Sequence, residues 1–350
     1  MGTDNNLTRS EATPQLSVVT QSGLWGEKHH TMTKVASRSL AERFVIPPFS
    51  VFDARQGYWQ ERKRLWISRG IKSEIGRGTD GDGTTRGLVF ASSAQPPSVY
   101  KKKNEYEAKV GRVLTWEEFY EIDPGAWEQT GTSIFDPVLC EVMYSWFCPP
   151  GGAVLDPFAG HNSRMEFTVM EGRHYIGYDV SQQFMEYNRS IVGELREETG
   201  MNITLYEANS EVMGYTMDEM GDFTITSPPY WDLEFYGDEA EQLGYKKPYP
   251  EFLDGLQKVA FQNFRVLRPG AFCVWIVNDF RKRGQFYSFH TDTLELLQQA
   301  GFVQHDIMII DYGSPIRAAF ATQLIDTLIL PKQHEYALVM KKGEASIEQQ

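Results

Sequence analysis

The chain has 350 residues, 41% apolar and 13% aromatic, ample for a core of one large domain or two smaller ones. Its formal net charge of −13 weighs against indiscriminate binding of phosphate backbones, and no apolar run is long enough to span a membrane. Cys140, Cys148 and Cys273 show neither metal-ligand nor disulfide spacing, the seven histidines are scattered, and the start Met1-Gly2-Thr3-Asp4-Asn5-Asn6 lacks a secretory pattern. The expectation is a cytoplasmic protein with no metal and no membrane partner.

In chain order, residues 1–40 are rich in Thr, Ser, Asn and Gln and read as a mobile tail. Residues 41–130 form a basic N-terminal region. Between 55 and 77, seven basic residues (Arg55, Arg62, Lys63, Arg64, Arg69, Lys72, Arg77) face only Glu61 and Glu74. Lys101-Lys102-Lys103 and Arg281-Lys282-Arg283 are further clusters, while acids crowd 194–222 and 232–241. A basic patch on an acidic body is compatible with specific DNA binding; equally, charge runs are solvated faces. Tyr58 to Ile67 reads as a short helix whose aromatics Tyr58, Trp59 and Trp66 serve the core or touch DNA, and core is the commoner role. The stretch 76–83 is a Gly-rich loop without a calcium-ligand pattern.

From about residue 130, strands and helices alternate. A helix is expected over 134–147, then strands at 153–156, 174–178, 203–207, 223–226, 271–278, 304–311 and 336–341, with helices at 162–172, 182–198, 250–267 and 289–300. This is the rhythm of a mostly parallel sheet. The last two strands, joined by the long loop 312–335, are expected to pair antiparallel, with 343–350 a tail.

Asp156-Pro157-Phe158-Ala159-Gly160-His161-Asn162 closes a strand and opens a helix. Glycine there admits a ligand close to the backbone, and a helix N-terminus favours an anion. The next strand ends in Asp179, an acid placed to hold a ribose diol. Only Gly160 of the dinucleotide glycine pattern is present, which points away from NAD. A nucleoside with a small anionic tail and a cation describes S-adenosyl-L-methionine: Asp156 for its ammonium, the helix end for its carboxylate, Asp179 for its ribose. Asn209, after the third strand, can accept from an adenine amine or can simply be a turn residue.

Ser227-Pro228-Pro229-Tyr230 follows the apolar strand Phe223 to Thr226. Two prolines lock φ and remove donors, so the turn offers carbonyls beside the Ser227 hydroxyl. Those groups suit an exocyclic amine whose lone pair is delocalised into a base. Tyr230 offers a face for stacking, and a base inside a duplex must be flipped out to reach it. Alternatively the tetrapeptide is only a rigid turn, but a strand's carboxyl end is where open α/β sheets bind ligands. Asp232 and Glu234 either orient the base or cap a helix, and Cys273 reads as core.

The ordered set Phe135-x-Pro137, Asp156 to Gly160, Asp179, Asn209 and Ser227 to Tyr230 resembles the amino-methylating DNA methyltransferases of the N4-cytosine and N6-adenine type, over roughly 130–342. Pro47 to Lys63, Gly313 to Arg317 and His334-Glu335-Tyr336 resemble segments of bacteriophage and prophage modification methylases. The resemblance implies a Rossmann-like class I α/β fold: a seven-stranded, mostly parallel sheet with an antiparallel last strand and a smaller N-terminal region. It implies a methyltransferase domain over 131–342, with S-adenosyl-L-methionine held by Phe135, Pro137, Asp156, Phe158, Gly160, Asp179 and Asn209. The base pocket falls at Ser227, Pro228, Pro229 and Tyr230. Serine in the first position leans toward cytosine N4 over adenine N6. His161-Asn162-Ser163-Arg164 departs from the usual glycine-rich continuation. No separate recognition domain fits between the motifs, so sequence recognition is expected from 41–130, from 232–249 or from the 312–335 loop, the first being favoured, with Arg62, Lys63, Arg64 and also Arg317 as contacts. The alternatives are a methyltransferase acting on RNA or a protein glutamine, and a catalytically silent DNA-binding protein of the same fold.

Overall fold

The computed structural model describes residues 18–22, 28–32, 44–69, 97–114, 116–123, 135–231, 233, 239–244, 247–282, 284–313, 330 and 332–343. The chain divides into two units, residues 1–48 and 49–350. In the first, β1 (Val18–Ser22) and β2 (Lys28–Met32) pair as an antiparallel ladder within the stretch read as a tail. The loops at 76–83 and 314–329, with Asp232, Glu234 and Arg317, lie outside the described residues.

The second unit is built on one eight-stranded sheet. In chain order it uses β3 (Val51–Asp53), β4 (Ala153–Asp156), β5 (His174–Asp179), β6 (Ile203–Glu207), β7 (Gly221–Thr226), β8 (Leu267–Val277), β11 (Val303–Asp311) and β12 (His334–Lys341). The spatial order is β3-β11-β12-β8-β7-β4-β5-β6. Only β12 runs antiparallel to its neighbours, pairing Ile309 with Tyr336 on one side and Trp275 with Leu338 on the other. This is a Rossmann-like, mostly parallel α/β sheet of the kind that the resemblance implies, with one strand more than the seven expected. The extra strand is β3, only three residues long, paired in parallel with the end of β11. Three residues give too short an alternation to register in sequence.

Each helix is bounded by local chemistry. The short α1 (Gly57–Ser68), α2 (Pro97–Val110) and α3 (Trp116–Ile122) precede the main repeat. In α4 (Pro137–Phe147), the Asp136 side chain accepts from the Val138 and Leu139 amides and Pro137 occupies the first turn, where its missing N–H is harmless. After β4 and β5 come α5 (Ser163–Met170) and α6 (Gln182–Thr199), the latter stopped by Gly200 in the left-handed region. Between β7 and β8 lies α7 (Tyr249–Val266), and α8 (Phe289–Gln299) precedes β11. A two-stranded hairpin, β9 (Phe280–Lys282) with β10 (Gln285–Tyr287), projects after β8.

The central strands are buried on both faces, hence their continuous apolar runs. One face packs Leu155, Tyr178, Val259, Trp275 and Leu338 against α7 and α8. The opposite face packs Met165, Val169, Tyr175 and Leu195 under α5 and α6. Trp59 and Trp66 of α1 are buried, so these two aromatics are core. Cys273 is fully buried in β8, and burial pushes its thiol well above the usual range.

Asp136 is a joint as well as a cap. Its Oδ2 accepts from the Trp59 indole at 3.3 Å and pairs with the Lys63 ammonium at 3.3 Å, tying α1 to the start of α4. Asp136→Ala removes the cap and takes the carboxylate away from the Lys63 ammonium and the Trp59 indole. It is expected to lower unfolding free energy by about 2–4 kcal/mol, read from the midpoint of urea denaturation at unchanged m.

Candidate active site

The order of strands reverses between β4 and β7, and an open sheet forms its ligand crevice at such a switch point. Val154 pairs with Phe223 and Leu155 with Thr224, so the tips carrying Asp156 and Ser227 stand side by side. They are bonded directly: the Thr226 hydroxyl donates to Asp156 Oδ1 at 2.7 Å.

Asp156 has no exposed surface, and its carboxylate has four donors. Oδ1 also accepts from the Phe158 amide at 3.3 Å; Oδ2 accepts from Arg164 Nε at 2.6 Å and the Tyr175 hydroxyl at 2.9 Å. The carboxylate expected to meet an ammonium is thus buried and already holds four donors, which make it the joint between the tips. Arg164 comes from the run that departs from the glycine-rich pattern. Its Nη2 donates to the carbonyls of Phe158 and Ala159, and its guanidinium lies 5.0 Å from the Phe135 ring centroid. Phe135 is thus brought to the 156–160 turn through Arg164, while Pro137 is buried in the first turn of α4.

The turn itself is held by side chains. His161 stacks on Tyr187 with centroids 5.2 Å apart, Asn162 donates to Glu166, and Asn188 donates to the Gly160 carbonyl at 2.9 Å. Gly160 has φ +53°, and a Cβ there would meet nothing nearer than the Phe158 carbonyl at 3.8 Å. The position thus needs glycine for its backbone and leaves open space in front of it.

Asp179 ends β5 and accepts from the Gly160 amide at 2.7 Å and the Ser181 amide at 2.9 Å. Burial raises its pKa to about 6 against the pull of those two amides. Asn209 follows β6; its Oδ1 accepts from the Glu211 amide at 2.8 Å, so it forms the turn that the sequence allowed, with a half-exposed side chain. Phe158 is half-buried, edge-on to Trp275.

Ser227 is half-buried, and its hydroxyl has no hydrogen-bond partner among the described residues; Pro228 beside it is buried. Tyr230 meets Phe289 edge-on at 5.8 Å. Several residues that the sequence did not single out complete this end. Trp231 takes φ +52° and donates from its indole to the Lys247 carbonyl at 2.7 Å. Its carbonyl lies so close to Gly244 that a Cβ there would come within 1.8 Å, which explains that glycine. Asn278, just after β8, buries an Oδ1 that has no hydrogen-bond partner among the described residues. Asp279 is buried between His290, whose Nδ1 is 2.6 Å away, and the Lys332 ammonium at 3.0 Å. Burial works to raise the Asp279 pKa, but those two partners prevail and hold it low.

The basic residues assigned to DNA are distributed differently. Arg62 makes a two-pronged pair with Glu141, and Lys63 is committed to Asp136 with a side chain only 14% exposed. Both of these expected DNA contacts pair within the α1–α4 joint, with acids that lie on α4 and at its cap, far along the sequence. Arg64 is exposed, and Arg317 lies outside the described residues.

No protein-family profile and no curated protein matches the chain. Among solved structures, it is similar to a proposed DNA modification methylase of Thermus thermophilus in complex with S-adenosyl-L-methionine, at 26% identity over 40% of this chain and 55% of that one, with a TM-score of 0.30. It is also similar to TrmN of the same organism (15% identity, 60% of this chain and 50% of that one, TM-score 0.40). A third is an S-adenosylmethionine-dependent methyltransferase of Methanosarcina mazei (12% identity, 57% and 96%, TM-score 0.40). The chain spans about half the length of the first two. No membrane-spanning helix and no metal-binding cluster occurs among the described residues.

Arg164→Met strands the buried Asp156 carboxylate without its cation. The expected loss is about 3–5 kcal/mol in unfolding free energy, seen as a lowered melting temperature; an unchanged melting temperature would contradict the joint described above.

Proposed function

We propose that this chain is a DNA methyltransferase that moves the methyl group of S-adenosyl-L-methionine to the exocyclic amine of a flipped base, with cytosine N4 favoured over adenine N6. The observation that carries this reading is the direct bonding of the 156–160 turn to the Ser227-Pro228-Pro229-Tyr230 turn through Thr226 and Asp156. It supports the reading because a nucleoside site on one tip and an amine-accepting site on the other would then share one crevice. Bacteriophage origin and a role in restriction-modification belong to the same proposal and rest on the sequence resemblance.

The residues present fit the cofactor in one half and not in the other. Asp179, an acceptor beside the open face of Gly160, suits a ribose diol; Phe158 supplies an apolar wall, and Asn209 keeps a second lone pair for an adenine amine. Phe135 and Pro137 border the same turn by way of Arg164 and α4. Asp156 does not fit the ammonium, for the reason given above.

When bound, the cofactor supplies a methyl group carried on a sulfonium sulfur. The chain's own work is positioning and proton handling. The unpartnered Ser227 hydroxyl and the Pro228 carbonyl accept hydrogen bonds from the target amine as it gains ammonium character, a form of preorganised stabilisation. Tyr230 stacks on the extruded base, with Phe289 buttressing its ring. Arg64 and Arg317 remain as phosphate contacts within this reading; Arg62 and Lys63 do not.

Expression in a methylation-free bacterium followed by nucleoside analysis of its genome tests the reaction. N4-methylcytosine is expected; N6-methyladenine would move the target base, and unmodified DNA from a chain that binds the cofactor would favour the silent DNA-binding protein. Ser227→Ala is expected to lower kcat by about 10²–10³-fold with cofactor affinity unchanged.

The Asp179 carboxylate adds a pH signature. A ribose diol donates to the ionised form, so affinity for S-adenosyl-L-homocysteine is expected to hold above pH 6 and fall by up to about tenfold per unit below it, measured by calorimetry. Asp179→Asn should flatten that profile. Folding responds with the opposite sign: between about pH 4 and 6 the folded chain retains a proton that the unfolded chain has lost, so this group's contribution to stability falls as pH rises.

A further inference from the structure

The β9–β10 hairpin is a basic element that contacts Trp231, the residue after Tyr230 of the proposed base pocket. Its sequence from Phe280 to Thr291 contains Arg281, Lys282 and Arg283 and no acid. The acid just before it, Asp279, is buried and already balanced by His290 and Lys332. On a chain with a net charge of −13, this is a local run of cations without an acid among them.

The hairpin is fixed to the crevice rim by aromatic packing. Tyr287 stacks on Phe280 with centroids 5.1 Å apart and meets Tyr249 at 4.7 Å. Both strands rest on Trp231, the residue after Tyr230: its ring is 5.4 Å from Tyr287 and 6.5 Å from Phe280, and the Lys282 ammonium sits 4.1 Å above it. Beyond this cluster, Phe286 is 41% exposed, with Arg281 5.1 Å and Lys332 4.9 Å from its ring centre. An exposed aromatic ring flanked by two cations is poorly matched to water. It matches a strand whose bases stack and whose phosphates need counter-charge.

We propose that the β9–β10 hairpin grips the DNA strand beside the flipped base, with Arg281 on a phosphate and Phe286 against an unstacked neighbouring base. This rests on the DNA methyltransferase reading and adds to it the surface that holds the substrate. Charge complementarity and continuity with Tyr230 through Trp231 single out nucleic acid over a protein partner. Deformation beside an extruded base is what exposes a neighbouring face to Phe286.

The test uses the full chain, a fluorescent DNA duplex with one mismatched pair, and binding measured by anisotropy across a salt series. Arg281→Gln is expected to reduce the slope of log affinity against log salt by about 0.9, the loss of one phosphate contact. Phe286→Ala is expected to weaken binding by about 5- to 150-fold with the slope unchanged, the signature of a lost stacking contact. Both positions are exposed, and both variants are expected to bind S-adenosyl-L-homocysteine like the parent chain.

Wild-type slope in Arg281→Gln together with wild-type affinity in Phe286→Ala overturns the hairpin proposal while leaving the methyltransferase reading in place. Displacement of the duplex by an RNA of the same sequence at lower concentration than by DNA overturns DNA as the occupant. A parent chain that binds cofactor but no DNA overturns the hairpin proposal and DNA as substrate together. A parent chain that binds DNA with the expected variant effects but no cofactor supports the hairpin and removes the methyltransferase reading.

Discussion

The arrangement of this site depends on one buried carboxylate. Asp156 takes hydrogen bonds from a neighbouring strand (Thr226), from the strand on its other side (Tyr175), from the following helix (Arg164) and from its own turn (Phe158). A charge with no exposed surface is expensive unless every lone pair is used, and here the donors arrive from four different segments. Each of those segments is thereby located relative to the others. Removing any one donor degrades the satisfaction of the rest, so the two turns that face the crevice share a single, cooperative foundation.

The crevice follows from topology once that foundation is in place. Strand order reverses between β4 and β7, so the helices after them diverge to opposite faces of the sheet and leave a gap above the tips. The antiparallel β12 brings His334 to the same end, and β11 with β3 brings Asp311 and Asp53, which share Arg55. The long final loop begins and ends here as well. Lys332, just before β12, pairs with Asp279 at this end.

The parts of this architecture that are periodic were legible in the sequence. Strands 153–156 and 203–207 coincide with their expected limits, and the antiparallel final pair follows from a long connection without a helix. The strand tips that matter were also legible, since Asp-Pro-Phe-Ala-Gly and Ser-Pro-Pro-Tyr mark ends of strands by their backbone chemistry alone. What could not be read is what depends on partners distant in sequence. Lys63 and Arg62 look like a DNA-binding cluster when counted along the chain, but their acids, Asp136 and Glu141, lie more than 70 residues away. Arg164 looked like a departure from a glycine pattern, and only the fold shows that it pairs with Asp156. The three-residue β3 has no period to detect. Trp231 carried a signal that was available: an aromatic directly after a Pro-Pro-Tyr turn, ahead of a hairpin bearing Arg281-Lys282-Arg283.

The altered turn after Gly160 bears on where binding energy can come from. In a glycine-rich loop the backbone amides are free to meet a ligand's anionic groups. Here the Gly160 amide is spent on Asp179, the Gly160 carbonyl on Asn188, and the Phe158 and Ala159 carbonyls on Arg164. Such a turn is braced by its own side chains, and its Gly160 amide is already used. On the proposed reading, affinity for the cofactor then rests on the nucleoside side, on Asp179, Asn209 and the apolar wall of Phe158. Preorganisation reduces the ordering penalty that a flexible glycine loop would incur. That ties recognition to a carboxylate whose pKa burial raises to about 6, so binding becomes sensitive to pH just below neutrality.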